Sequence, residues 1–308
     1  MKRAVLTIGI LSVLLCSAAF AGINPLVFEL PKFTQPPVLD GERGAEEWAG
    51  ALELECSIEQ IFIDGDALGW RNLEAQQSEI SVNQLLEQEG EDASLAKTSD
   101  DAMCNIWHAW DDDALYYISE NRDNIRDVDG GPETDPAHWW IRDSMSLYVD
   151  LTYAREGEEP NYISLNIINY IAAPMESSDV TITWERTIEG VRNATQDPDL
   201  IEGFEYGFKD AGDEFGGEAD YAIEGKLPWE TLKRFNLADD PVVGTQMGIS
   251  WILLDADGND GFGGQIVCWG WAGEIPNYTT LLFTDNPAGP GGTSVQADSW
   301  GRIKSTFN

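Results

Sequence analysis

The sequence predicts an all-β chain: an antiparallel β-sandwich with jelly-roll or immunoglobulin-like layers, interrupted by short helical insertions. Three observations predict it. Apolar and polar residues alternate with period two over many short runs, clusters of Asp, Gly, Pro and Asn punctuate those runs, and neither an internal repeat nor an interdomain linker divides the chain.

The first residues stand apart from that domain. Met1-Lys2-Arg3 is basic, residues 4–15 are apolar, and Ala19-Phe20-Ala21 forms a small-x-small cleavage pattern before Gly22. Residues 1–21 therefore read as a secretory signal peptide, too short to span a bilayer. Leu15 stands where a lipid-attachment motif calls for a small residue, which argues against anchoring at Cys16. No later run is long and apolar enough for a membrane span, so the expectation is an exported protein, extracellular or periplasmic, with one domain over 22–308.

Along that domain, 103–110 places Cys104, Ile106, His108 and Trp110 on one face and Met103, Asn105, Trp107 and Ala109 on the other. Asp111-Asp112-Asp113 makes a turn, and 115–119 returns as the hairpin partner. Run 144–151 alternates Met145, Leu147, Val149 and Leu151 against Ser144, Ser146, Tyr148 and Asp150. Run 162–171 repeats the pattern, with Ile163, Leu165 and Ile167 opposed by Tyr162, Ser164 and Asn166. One face is core, and the other is expected to meet solvent. Further strands are expected at 180–187, 204–209, 218–226, 246–254, 265–271, 278–283 and 300–304. Pro228 suits the first position of a short helix over 228–232. Residues 72–89 have helix-compatible Leu and Ile spacing inside an insertion at about 64–101.

Composition narrows the partners. The chain carries 18 basic residues against 55 acidic ones, for a net charge of −37. Such a surface repels phosphate backbones and anionic lipid, which excludes nucleic acid and membrane insertion as expected partners. After signal cleavage Cys56, Cys104 and Cys268 remain; export permits one disulfide among them, and spacing does not choose the pair. With only His108 and His138 available, a histidine-rich zinc site is excluded.

Twelve tryptophans remain to be placed. Two clusters, His138-Trp139-Trp140 and Trp269-Gly270-Trp271, border turn-rich segments where the chain should surface. An indole there offers a flat apolar platform for an uncharged ring such as a sugar, or seals the end of a sandwich.

Several segments resemble family 9 carbohydrate-binding modules and their relatives. They are Pro37-Val38-Leu39-Asp40-Gly41 with Glu46-Glu47-Trp48, the hairpin from Ile106-Trp107-His108 to Tyr116-Tyr117, and the run from Trp140-Ile141-Arg142-Asp143 to Asp150. Tyr221-Ala222-Ile223-Glu224-Gly225 through Trp229, Met247-Gly248-Ile249 to Asp255, Trp269, and Trp300-Gly301-Arg302-Ile303 continue the order. The resemblance covers about 37–305. It implies a β-sandwich holding a glucan or xylan end between two tryptophans, which by motif are Trp140 and Trp269, with Trp139 or Trp271 as substitutes. Asn166 and Ser146 would then supply polar contacts to hydroxyls. The family typically has a carboxylate where Ser146 stands and an arginine near Asn166 or Ser164, and this chain has neither. The implied partner is an oligo- or polysaccharide, with a separate glycoside hydrolase acting on the same material.

The run Asp255-Ala256-Asp257-Gly258-Asn259 spaces oxygen ligands as calcium loops do, so Asp255, Asp257 and Asn259 are candidate ligands of a structural calcium. Asp123, Asp127 and Asp129 form a weaker acidic set. No cofactor is required by any motif. No nucleophile elbow, phosphate loop or cysteine–histidine pairing is present, and carboxylates this abundant diagnose no glycosidase pair, so a non-enzymatic role is expected. Two rival readings are a haem-binding redox domain, using His108 or His138 with a methionine, and a calcium-dependent surface scaffold.

Overall fold

The computed structural model describes residues 27–57, 102–124, 143–153, 203–235, 237–255 and 278–292, together with strands at 162–168, 181–188, 191–195 and 264–268. Thirteen strands appear among them: β1 (Val27–Phe33), β2 (Leu52–Cys56), β3 (Ala102–Trp110), β4 (Ala114–Asp123), β5 (Ser144–Asp150), β6 (Tyr162–Ile168), β7 (Thr181–Ile188), β8 (Val191–Thr195), β9 (Glu205–Gly212), β10 (Asp220–Pro228), β11 (Gln246–Asp255), β12 (Gly264–Cys268) and β13 (Thr279–Ala288). One short helix, α1 (Trp229–Lys233), follows β10 directly. Pro228 serves as its N-cap, with extended ψ of 142°, one residue earlier than the sequence suggested.

The strands follow one another in the order β8-β7-β6-β5-β11-β13-β1-β3-β4-β10-β9, with β12 beside β11 and β2 beside β3. The sheet curls on itself. Ring contacts across the interior join the two halves: Trp110 meets Phe283 at 5.1 Å and Tyr117 meets Trp251 at 5.2 Å. Pairing is antiparallel except at β1, which runs parallel to both β13 and β3. That strand passes from one layer to the other. Its register with β13 shifts between Leu30 and Lys32, at Pro31, which has no N–H to give a ladder. Pro31 is also why sequence periodicity did not single out β1.

Alternation builds the interior. On β3 Cys104, Ile106, His108 and Trp110 point inward, and on β11 Met247, Ile249, Trp251 and Leu253 do so, all almost wholly buried. Each large apolar side chain so buried contributes about 1.5–3 kcal/mol. Cys56 is disulfide-bonded, whereas Cys104, its register partner across β2 and β3, is a free buried thiol. Cys104 is therefore outside the bridge. Strand β12, which ends at Cys268, packs against β2.

The expectation of one solvent-facing side is corrected. All seven positions of β5 are buried, including Ser144, Ser146, Tyr148 and Asp150. The outer side of β3 and β4 is covered too, by Phe33, Trp48 and Ala51 over Trp107, Ala109, Tyr116 and Ile118. On β5 the polar residues at alternate positions thus mark a second buried layer rather than water, whereas Glu53 and Glu55 of β2 do meet solvent. The expected strand at 300–304 and helix at 72–89 lie outside the described residues.

Candidate functional site

Two carboxylates on the outer face of β10 hold the crossing segments in place. Glu224 Oε2 accepts the backbone N–H groups of Asp40 at 3.0 Å and Gly41 at 3.1 Å, while its Oε1 accepts the Trp48 indole N–H at 2.9 Å. The turn it holds lies directly on β9. A Cβ on Gly207 would fall 2.4 Å from Gly41 N, so both glycines are needed for backbone to meet backbone. Arg43 extends the same contact, lying 4.2 Å over the Trp107 ring and donating to Glu120 at 2.9 Å. Four residues before Glu224, Asp220 accepts the N–H groups of Asp123, Phe215 and Gly217. Burial pushes the Glu224 carboxyl up to about 7, against the pull of its three N–H donors. The Asp40-Gly41, Trp48 and Glu224 elements of the sequence resemblance therefore meet as one structural clasp. Glu224 takes its place on the outer face of β10 from local alternation, but its partners are 176 and more positions away in the chain.

His108 sits deep between the layers. Its Nε2 accepts the Trp251 indole N–H at 2.8 Å, which fixes the neutral tautomer, and burial lowers its pKa to about 3. The nitrogen that haem iron would need is already engaged, so His108 acts as a packed structural histidine. Tyr117, which follows Trp251 round the same ring cluster, lies against Gly225, where a Cβ would come within 2.4 Å of its Cζ.

The predicted sugar-contact residues fall on the other layer. Ser146 is at the centre of β5, completely buried, and its Oγ has no hydrogen-bond partner among the described residues. In register it stands opposite Asn166 of β6 on one side and Ile252 of β11 on the other. Thr183 of β7 continues the row beyond Asn166. One level along, Ser250, Tyr148, Ser164 and Glu185 form a parallel row. The sheet thus aligns a band of residues with hydroxyl, amide and carboxylate groups across β11, β5, β6 and β7. Ser146 and Asn166 are brought together as neighbours, as the sequence placed them.

Trp139, Trp140, Trp269, Trp271, Asp257 and Asn259 lie outside the described residues. The strands that lead to them are described. Only β11 separates the start of β5 from the end of β12, with Ser144 level with Leu254 and Cys268 level with Trp251. Two strand spacings and three residues of rise put those strand ends about 14 Å apart. Asp255 closes β11 opposite Gly264, at the entrance to the proposed calcium loop. Among the described residues no group of three or more His, Cys, Asp or Glu side chains gathers as a metal site would, and no helix is long and apolar enough to cross a membrane.

On the opposite layer an open groove of about 300 Å³ lies between Pro36, Pro37 and Leu39 and the residues Tyr116, Glu205 and Lys226. Lys226 and Glu205 pair across it at 2.8 Å.

No protein-family model matches the sequence, and no curated protein matches it. Among solved structures, the chain is similar to a carbohydrate-binding module of family 9 from Caldicellulosiruptor kristjanssonii in complex with cellotriose. That match has a TM-score of 0.43 at 13% identity, over 88% of this chain and 96% of that one. The complex of a family 9 module from the same organism with glucose gives the same TM-score and identity, over 88% and 99% of the two chains. A Bacteroides uniformis ATCC 8492 protein of proposed carbohydrate-binding role gives a TM-score of 0.43 at 9% identity, over 84% and 99%.

Proposed function

We propose that this protein is a secreted, non-catalytic carbohydrate-binding protein that stacks a sugar ring on indoles borne by the segments beside β5 and β12. The observation that carries this reading is the level row Ser146–Asn166–Thr183, within reach of the two strand ends from which Trp140 and Trp269 depart. A pyranose presents an apolar C–H face and a rim of hydroxyls. An indole covers the face, and neighbouring hydroxyl and amide groups satisfy the rim. Trp140 and Trp269 are the stacking residues in this reading, with Trp139 and Trp271 as the alternates and Asn166 as the polar contact, while Ser146, wholly buried, backs that row from within. A structural calcium held by Asp255, Asp257 and Asn259 would stiffen the β11–β12 connection beside them. Glucan or xylan chains are the ligand class, met alongside a separate hydrolase.

The test is isothermal titration with cello- and xylo-oligosaccharides. Binding heat is expected for the wild-type protein and its loss for Trp269→Ala, with the thermal unfolding midpoint unchanged. No heat with any oligosaccharide of either series refutes the reading.

A further inference from the structure

The inward face of β4 departs from the rest of the interior. After Leu115 its successive inward residues are Tyr117, Ser119, Asn121 and Asp123, every one of them buried. Asn121 and Ser119 form the centre of this polar spine. Asn121 Nδ2 donates to Ser119 Oγ at 2.9 Å and to the Tyr221 carbonyl at 3.3 Å. Its two donor hydrogens are thereby used, and its Oδ1 has no partner. Ser119 Oγ accepts from the amide and keeps its own proton to donate. Around the pair the register places apolar or weakly polar residues: Ile106 and Ile223 flank Ser119, and Cys104 and Tyr221 flank Asn121. One position along, the Tyr117 hydroxyl is likewise buried and without a partner.

We propose that the sandwich interior contains a built hydration site at Ser119 and Asn121, occupied by at least one ordered water that takes the Ser119 proton and donates to Asn121 Oδ1. Buried polar groups are paired in folded proteins with few exceptions, and an internal water needs two to four polar partners. Ser119 and Asn121 supply two. An apolar ligand would leave the Ser119 proton and Asn121 Oδ1 unmet, so water is the chemistry that fits. The site is independent of the sugar platform, since it lies between the layers rather than on the outer side of β5.

A crystal structure at about 1.5 Å resolution, with oxygen-17 magnetic relaxation dispersion on the wild type and on the Ser119→Ala/Asn121→Leu double variant, tests this. Expected are water density within about 3.2 Å of Asn121 Oδ1 and a count of long-lived internal waters lower by at least one in the variant. A dry site, density for a larger solute, or an unchanged count overturns the proposal. If the double variant does not fold, the wild-type density decides alone.

Discussion

Removing the Glu224 carboxylate is the sharpest perturbation the fold offers. Glu224→Ala leaves three donors without an acceptor: Asp40 N–H, Gly41 N–H and the Trp48 indole N–H. An orphaned buried donor costs about 1–3 kcal/mol. Asp40 is only partly buried at this bond, and the carboxylate's own desolvation is relieved by the substitution, so the net loss is about 4 kcal/mol rather than the full sum. For a chain of this size each kcal/mol shifts the midpoint by roughly 2–4 °C, which predicts a fall of about 10 °C in thermal unfolding followed by circular dichroism. Glu224→Gln should cost about half as much. Its one carbonyl can serve both backbone donors, while its amide then faces the Trp48 N–H, donor against donor. Combining Glu224→Gln with Trp48→Phe removes that conflict, so the two substitutions should be less than additive by about 1 kcal/mol. A drop below about 2 °C for Glu224→Ala, or strict additivity in the cycle, would show that Glu224 does not hold the segment down.

Further outcomes follow from the same geometry. Glu224 has its pKa raised from 4.5 to about 7, so the folded state holds a proton the unfolded chain has released. Its contribution is fully present below pH 4.5 and is lost as pH rises through 7, and denaturant titrations should show a decline across that window that Glu224→Gln lacks. Gly225→Ala should destabilise by about 1–3 kcal/mol because its methyl collides with the Tyr117 ring, and Tyr117→Ala in the same chain should recover part of the loss. Equal losses with and without the tyrosine would remove that explanation. Cys104 should be silent to a thiol reagent in the native protein and reactive after unfolding, since burial raises its pKa and shields it. Native-state labelling of Cys104 would contradict its placement in the core.

Much of the fold is legible in the chain itself. Period-two patterning located β3, β4, β5, β10 and β11 and separated the two faces of β3 and β5 correctly, because a strand's alternation is a local property. Ser146 and Asn166 were placed on neighbouring strands for the same reason, and the register bears that out. Strands β1, β2 and β8 were not located, since Pro31 breaks the first pattern and the other two are only five residues long.

The chain alone determined most of the strands, the two faces of β3 and β5 and the acidic composition. Tertiary structure decided what each outward face meets. Ser144, Ser146, Tyr148 and Asp150 look like solvent residues one strand at a time, yet all are buried. Glu224 looks like a surface carboxylate, yet it is the acceptor for three donors brought from the segment 40–48. His108 finds its partner on β11, and Cys56 is bonded while its neighbour Cys104 is not. The physical reason is that alternation records which side of a strand a residue occupies. What covers that side depends on chain that arrives from far away in sequence.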